Sequence, residues 1–418
     1  MTSEGSPAEA YVWVWLPRAV EPVVAGRLRA RDDIVTFQYG SSYLRLDDAV
    51  PLYLPELPKQ TGVQRPADGL GIAGCVADAG PDSWGQRIIM ERRGGANRLE
   101  GRYDAIGPLG FLLESGSDRF GALDFQVSPE HYVARATQQA PLEKLLEAAD
   151  RLEQGLPLDP VLEQALFHGS SLGGARPKAL LQTDDELGRI AKFARRSDPY
   201  PVVGAEGAAM WLARQVGINV AAVEVLRCGD SDVLLVERFD RPGAGQRAMT
   251  VSALTLQGLD AATGGRYATY TNLAHDIRKR FTEPKATLRE LFARIAFNIC
   301  VGNTDDHARN HAAFWDGRTE MLTLTPAYDI CPQSRAGGET QQAMAYDAAG
   351  TERRSRLSTL VESSDLYQLT KDEAREVASE IVDTIERRWS EAAEFARLST
   401  ADGARLMGTQ ILNPSIHY

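Results

Sequence analysis

The sequence has few cysteines, and they stand far apart. Among its 418 residues there are 4, at Cys75, Cys228, Cys300 and Cys331. Zinc sites and disulfide frameworks use cysteines at short, paired spacings, and these positions do not provide them. The pattern therefore argues against both kinds of framework, and it favours the cytoplasm as the compartment of the protein.

Long apolar runs are also missing. No stretch approaches the roughly 18 consecutive apolar residues of a membrane-spanning helix, so we expect no membrane span. The first seven residues, MTSEGSP, are polar and acidic and do not resemble a signal peptide. We expect them to form a frayed tail.

Basic residues are in deficit, with 46 Lys and Arg against 57 Asp and Glu and a formal net charge of −11. This balance argues against a general nucleic-acid binder, although it leaves open a DNA-bound partner or a local basic patch such as residues 278–280. His307 and His311 have helical i, i+4 spacing, but we expect no joint metal site because no third ligand is in view.

What is present is the composition of an ordinary globular protein, 43% hydrophobic and 25% charged. A chain of this length predicts two or three packed units. We predict an α/β (α+β) fold with a β-rich subdomain at 1–135, a mixed part at 136–245 and a mainly helical part at 246–418. Within the first 160 residues, the predicted strands and helices are strands at 11–16, 34–39 and 120–127, a helix entered at 81–83 and a helix at 142–152.

The most informative motif is NTDDHARN at residues 303–310, followed 19 residues past Asn310 by Asp329. Asp305 and Asn310 have the D-x-x-x-x-N spacing of a kinase catalytic loop. Such a loop uses one carboxylate to orient the attacking hydroxyl, an amide oxygen to hold one metal ion, and a later carboxylate to bridge metal and phosphates. The alternative is a polar surface loop, in which Asp and Asn are also common.

The segments around this loop favour the catalytic interpretation. Residues 288–301 have apolar side chains at helical spacing, and Gly302 is expected to end that helix. Residues 312–315 and 321–324 read as two strands joined by a turn at Asp316 and Gly317. Helix, polar loop, hairpin and aspartate is the order found in the large lobe of protein kinases.

Elements of a nucleotide site lie upstream in matching order. The run GSSLGGARPK at 169–178 is glycine-rich but is no Walker A sequence, because no Gly-Lys-Ser/Thr ends it. Strands are predicted at 179–183 and 189–193, and Lys192 on the second could face a cleft. A helix at 205–216 would carry Glu206 in its first turn, where it could pair with Lys192 or simply suit the helix dipole. Two further strands are predicted at 220–226 and 233–239.

Four motifs together resemble the HipA-type serine/threonine kinases, toxins of bacterial toxin–antitoxin pairs, over nearly the whole chain. They are GSSLGGARPK (169–178), VERFDR (236–241), TDDHARN (304–310) and LTPAYDI (324–330). The resemblance implies a two-lobed protein-kinase-like fold, with 136–245 as small lobe and 246–418 as large lobe. It implies Mg²⁺ and ATP as cofactors, with the following residues at the site. Asp305 and His307 would be catalytic, Asn310 and Asp329 would hold Mg²⁺, Lys192 would hold phosphates, Glu237 and Phe239 would lie at the adenine, and Ser170, Ser171, Leu172, Gly173 and Gly174 would form the ATP loop.

The resemblance also implies partners and regulation. We expect a protein substrate, possibly an aminoacyl-tRNA synthetase, and a HipB-like helix-turn-helix antitoxin, with DNA bound only through that complex. Ser171 is the expected site of self-phosphorylation, with Ser170 as the second choice. Two other functions stay open, because the motifs indicate ATP and not the acceptor: a small-molecule phosphotransferase on the same scaffold, and an inactive binding protein.

Overall fold

The chain forms two compact units from interleaved segments. A computed structural model describes residues 7–94, 102–135, 140–156, 176–182, 188–260, 264–335 and 338–417. The N-terminal unit comprises Met1–Arg195, Arg238–Val251 and Phe314–Glu320, and the C-terminal unit comprises Arg196–Glu237, Ser252–Ala313 and Met321–Tyr418. The three-part boundaries expected from the sequence stay a prediction.

An antiparallel sheet opens the N-terminal unit. It contains β1 (Glu9–Val14), β2 (Val23–Arg31), β3 (Ile34–Tyr39) and β4 (Leu123–Gln126), in the order β3-β2-β1-β4. Side chains of β3 alternate between half-buried and buried, as the period of two in a strand requires. The strand predicted at 34–39 is confirmed at both ends.

Helices accompany this sheet. They span Ser41–Leu44, Gly74–Ala77, Ser83–Gly94, Arg102–Glu114 and Leu142–Glu153. The helix expected to enter at 81–83 begins at Ser83, where the Asp82 carboxylate accepts the backbone N–H of Gly85 at 2.7 Å and so caps the first turn. Its neighbour Arg102–Glu114 is kinked at Gly107, which has a φ of 64° and precedes Pro108.

Two antiparallel hairpins follow, one in each unit. In the N-terminal unit β5 (Lys178–Gln182) pairs with β6 (Gly188–Phe193), and Lys178 lies opposite Lys192. In the C-terminal unit β7 (Val223–Cys228) pairs with β8 (Ser231–Glu237). Because β8 ends at Glu237, Phe239 lies beyond the strand that was predicted to contain it.

The helix expected at 205–216 starts earlier than predicted. It spans Val202–Gln215 after Pro201 and Gly217 follows it, so Glu206 lies in the second turn and not the first. Glu206 is only 1% exposed. Its helix is buried on nearly every side, which hid the start from a search for amphipathic spacing. An interaction with the helix dipole therefore does not explain this glutamate, since that effect is confined to the terminal turn.

The remaining elements are mostly helical. The helices span Ala253–Leu256, Tyr270–Arg280, Pro284–Val301, Leu357–Glu362, Lys371–Phe395 and Thr400–Leu406, and the strands are β9 (Thr250–Ser252), β10 (Ala312–Asp316) and β11 (Met321–Leu324). The Pro284–Val301 helix begins with proline at its first position, where the missing N–H costs nothing. No helix in the described ranges has both the length and the apolar character needed to cross a membrane.

Candidate active site

The candidate catalytic loop starts where the Pro284–Val301 helix stops. Gly302 adopts a left-handed φ of 69°, and a Cβ there would stand 2.5 Å from the carbonyl oxygen of Gln410. The next residue, Asn303, donates its backbone N–H to the carbonyl of Asn298 at 2.9 Å and its amide to the Asn298 side chain at 3.1 Å. These bonds tie the start of the loop to the last turn of a buried helix.

The loop folds back on itself around the backbone of Asp305. The backbone N–H of His307 and the side-chain amide of Asn310 both donate to the Asp305 carbonyl, at 2.8 and 3.2 Å. Since the amide nitrogen of Asn310 is used in this way, its amide oxygen is the atom that remains to bind a cation. The Asp305 side chain is exposed.

The pKa values of Asp305 and Asp306, which are adjacent in this loop, are shifted in opposite directions. Partial burial raises the pKa of Asp305, the negative charges of Asp329 and Asp306 raise it further, and a charged His307 opposes them. Burial alone would raise the pKa of Asp306 too, but His311, Tyr270 and Asn298 outweigh it and lower that pKa. Such divergence separates a carboxylate that can take part in proton transfer from one that stays ionised.

Asp306 is anchored in the interior below the loop. Its carboxylate accepts the hydroxyl of Tyr270 at 2.7 Å and lies 2.9 Å from Nε2 of His311. All three side chains are buried. A buried carboxylate is stable only when it is paired in this way, so the network gives Asp306 a structural role beside the exposed Asp305.

Asp329 reaches the same region from the segment after β11. It adopts a left-handed φ of 58°, which is uncommon for a residue other than glycine and often marks a functional position. The preceding residue, Tyr328, donates its hydroxyl to the carbonyl of Arg309 at 2.5 Å. This bond links the neighbours of Asp329 and Asn310, the two residues expected to hold Mg²⁺.

The residues expected to contact phosphates belong to the N-terminal unit. Lys192 lies half-buried on β6. Its cross-strand partner Lys178 is buried and forms an ion pair with Asp82 at 2.6 Å. Ser170, Ser171, Leu172, Gly173 and Gly174 lie outside the described residues. The pairing of Lys192 with Glu206 stays a prediction.

The two residues expected at the adenine stand in different local settings. Glu237 ends β8, half-buried, and its backbone N–H donates to the carbonyl of Ala222 at 2.9 Å. Phe239 belongs to the N-terminal unit, where its ring packs edge-to-face against Phe120 and Phe314, with centroids 6.0 and 5.9 Å away.

Sequence reasoning missed the residues that support the site. They are Asp82 and Lys178 near β5, Tyr270 and Asp306 below the loop, and Tyr328 beside Asp329. Tyr328 could have been found locally, as the neighbour of a proposed metal ligand, and so could Asp306, which lies five residues before its partner His311. The partners of the others lie 96 and 36 residues away in sequence, and no short motif records such pairs.

Comparison with known proteins decides the family. The model of the HipA-like C-terminal domain matches residues 170–389. The chain belongs to the HipA-like family.

Relatives of this HipA-like chain include named kinases. It is 27% identical over 266 residues to the serine/threonine-protein kinase toxin HipA of Shewanella oneidensis, over 56% of this chain and 58% of that protein. It is 26% identical over 204 residues to the putative kinase Y4mE of Sinorhizobium fredii, over 43% and 46% of the two chains. The matches thus span about half the length of these relatives.

A solved structure shows the same fold. The structure of HipA with HipB and its operator DNA from Shewanella oneidensis aligns with this HipA-like chain at a TM-score of 0.64 and 21% identity, covering 92% of each chain. The expected protein-kinase-like fold of mixed helices and strands is confirmed.

Proposed function

We propose that this HipA-like chain is a kinase that uses ATP and Mg²⁺ to phosphorylate a serine or threonine hydroxyl of a protein. The observation that supports this most is the arrangement of Asp305, Asn310 and Asp329 within one compact unit. The Asp305 carbonyl binds the Asn310 amide at 3.2 Å, and Tyr328 bonds the loop next to Asn310 at 2.5 Å. The carboxylate of Asp329 and the amide oxygen of Asn310 are donors that suit Mg²⁺, and the Asp305 carboxyl is close enough for the charge of Asp329 to raise its pKa.

Each side chain has a definite task in this proposal. Asp305, exposed and with a raised pKa, orients the acceptor hydroxyl and takes its proton, and His307 tunes the charge of Asp305. The amide oxygen of Asn310 and the carboxylate of Asp329 hold Mg²⁺. When bound, Mg²⁺ neutralises negative charge on the phosphates.

The nucleotide contacts are proposed from the resemblance to HipA-type kinases. Lys192 would bind phosphate oxygens, Ser170, Ser171, Leu172, Gly173 and Gly174 would form the ATP loop, and the Glu237 backbone and the Phe239 ring would receive the adenine. The substitution Lys192→Met should weaken phosphoryl transfer more than ATP binding, because the adenine and Mg²⁺ contacts would remain.

The acceptor and partner are proposed from the relatives. One relative is named a serine/threonine-protein kinase toxin, and its structure is that of a complex with HipB and operator DNA. We therefore propose a HipB-like antitoxin through which DNA is bound. The resemblance to HipA-type kinases, and not the names of the relatives, is the ground for proposing a protein substrate of the translation machinery, such as an aminoacyl-tRNA synthetase.

Self-phosphorylation at Ser171, with Ser170 as second choice, would regulate the enzyme. A phosphoserine adds roughly −1.5 to −2 charges to a loop that must receive anionic phosphates. The repulsion would disfavour ATP binding and switch the kinase off.

The test is incubation of the full chain with Mg²⁺ and ATP, followed by intact mass measurement and peptide mapping. Phosphate on Ser171 or Ser170, lost in Asp305→Asn and Asp329→Asn and retained in Asp316→Asn, supports the protein kinase. Asp316 is the matched control because it is an exposed aspartate at the end of β10, where it accepts the backbone N–H of Arg318 at 2.9 Å. Turnover only with added metabolites would indicate a small-molecule phosphotransferase, and no turnover at all would indicate a binding protein.

A further inference from the structure

Two charged residues on either side of Phe239 are buried within the N-terminal unit. Arg238 is 3% exposed and Asp240 is 2% exposed, although charged side chains rarely leave water unless they are paired. The guanidinium of Arg238 donates to both carboxylate oxygens of Asp240, at 3.0 and 2.8 Å. This ion pair therefore restricts the backbone on both sides of Phe239.

The partners of this pair come from a distant part of the sequence, residues 118–121. Arg238 donates to the Asp118 carboxylate at 2.8 Å and to the Arg119 carbonyl at 2.6 Å. Asp240 accepts the backbone N–H of Gly121 at 2.8 Å. The 118–121 segment therefore holds the residue before Phe239 and the residue after it.

The same segment also contacts the Phe239 ring. Phe120 stands between Arg119 and Gly121, and its ring meets Phe239 at an interplanar angle of 88° with centroids 6.0 Å apart. Edge-to-face contact of this kind restricts the orientation of both rings. Backbone and side chain of Phe239 are thus both fixed by one segment.

At Gly121 the 118–121 segment packs closely against Thr250. Its φ is 79°, and a Cβ at this position would lie 2.6 Å from Oγ1 of Thr250. Both the backbone conformation and the space exclude other side chains. The N–H that binds Asp240 is consequently held in one place.

Each charged side chain of this network is paired with one of opposite charge. Burial alone would raise the pKa of Asp240, but Arg238 and Arg241 outweigh it and hold that pKa below its usual range. Arg241 donates to the Asp118 carboxylate at 2.6 Å as well. Buried ion pairs are weak contributors to net stability compared with apolar packing, whereas a fully paired network defines a single arrangement.

We propose that the 118–121 segment is part of the nucleotide site: through Arg238, Asp240 and the Phe120 ring it positions Phe239 for the base of the nucleotide. This inference rests on the proposed function, in which Phe239 receives the adenine. It gives part of the N-terminal unit a task in binding the base of ATP. Asp118, Phe120 and Gly121 are positioning residues, since they act through Phe239 and not on the phosphates.

The test compares Asp118→Asn with Glu56→Gln. Glu56 is a half-buried carboxylate of the same unit that accepts the backbone N–H groups of Gly74 and Cys75 at 2.8 Å each, so its exchange removes a charge outside the 118–121 segment and its partners. Binding of Mg·ATP and of Mg·tripolyphosphate, which has no base, is measured by calorimetry at a temperature where circular dichroism shows all three proteins folded.

We expect Asp118→Asn to raise the Kd for ATP and the KM for ATP at least fivefold, with kcat and the Kd for tripolyphosphate within twofold of wild type. Glu56→Gln should leave both Kd values within twofold of wild type, whatever it does to Tm. Phe120→Leu, which keeps an apolar side chain, should weaken ATP binding in the same direction and serves if Asp118→Asn does not fold.

The possible failures are distinguishable. A wild-type protein that binds no ATP overturns the proposed function. If Asp118→Asn and Phe120→Leu bind ATP as tightly as the wild type does, the inference alone is overturned. Equal weakening of ATP and tripolyphosphate binding, or equal weakening in Glu56→Gln, would show a general loosening of the unit and would also overturn it.

Discussion

The hydroxyl of Tyr328 donates a hydrogen bond to the carbonyl of Arg309 at 2.5 Å. Each of these residues is the sequence neighbour of a proposed Mg²⁺ ligand, Asp329 in one case and Asn310 in the other. One of these segments precedes β10 in the sequence and the other follows β11. The bond therefore fixes the distance between them. Octahedral Mg²⁺ tolerates little variation in ligand position, so such a bond should affect metal binding.

Tyr328→Phe removes this bond and keeps the ring. We expect the Mg²⁺ concentration for half-maximal activity to rise about two- to twelvefold, since a lost hydrogen bond is worth about 0.5–1.5 kcal/mol. The KM for ATP at saturating Mg²⁺ should stay near the wild-type value. The measurement is a Mg²⁺ titration of phosphoryl transfer.

Tyr267→Phe is the control for this titration, because Tyr267 is 59% exposed and lies far from Asp329 in sequence. It should leave the Mg²⁺ requirement unchanged. An unchanged Mg²⁺ requirement in Tyr328→Phe would show that the bond does not position the metal ligands.

Asp305→Asn should abolish most phosphoryl transfer and leave the fold intact. The side chain is exposed, so the exchange to a neutral isostere should change the free energy of unfolding by no more than about 0.5 kcal/mol. Loss of a general base typically costs about 10²–10⁴-fold in rate. Radioactive phosphate transfer and urea denaturation check the two parts, and near-normal turnover would contradict the catalytic assignment.

Asp306→Asn, in contrast, should lower the stability of the fold. The change weakens the hydrogen bond from the Tyr270 hydroxyl to a buried carboxylate and removes the negative charge that lies 2.9 Å from Nε2 of His311. A hydrogen bond to a charged group contributes about 1.5–3 kcal/mol. We expect Tm to fall clearly, and Tyr270→Phe to lower it by a smaller amount. If Asp306→Asn were as stable as Asp305→Asn, the buried network would have no structural role.

The sequence was a good guide to local structure in this chain and a poor one to long-range pairs. The strand at 34–39 and the end of the Pro284–Val301 helix at Gly302 could be predicted, because side-chain periodicity and a glycine stop are local properties. The start of the Val202–Gln215 helix could not, because burial on nearly every side removes the polar face that marks a helix. Likewise, the contacts of Arg238 with Asp118 join residues 120 apart.

Acid should weaken the N-terminal unit through Asp124. Burial alone would raise the pKa of Asp124, but Arg119 and Arg135 outweigh it, so the pKa in the folded protein is lowered. An aspartate in the unfolded chain has a pKa of about 3.9. The contribution of Asp124 to stability is therefore fully present above that pH and is lost as the pH falls toward the lower folded-state value.

We expect the Tm difference between wild type and Asp124→Asn to be constant from about pH 7 to 5 and to shrink below about pH 4. Thermal unfolding of both proteins across this range measures it. Asp33→Asn, an exchange at an exposed position, should show no such convergence. A difference that widened on acidification would mean that the folded-state pKa of Asp124 is raised.

Gly302→Ala should disrupt the start of the catalytic loop more than a strained φ alone explains. A left-handed conformation costs a residue with a side chain roughly 1–2 kcal/mol. At Gly302 the added Cβ would also stand 2.5 Å from the Gln410 carbonyl, whose segment is tied to the same helix by the bond from the Leu412 N–H to the Cys300 carbonyl at 2.7 Å.

Gly217→Ala separates these two effects. Gly217 has a φ of 85° and no atom within 4 Å of the added Cβ, so it carries the conformational cost without the clash. We expect Gly302→Ala to lower the free energy of unfolding by a clearly larger amount and to reduce phosphoryl transfer, because Asn303 and Asp305 follow directly. Urea denaturation and transfer assays on both variants decide this, and equal losses of stability would show that the Gln410 segment yields to the methyl group.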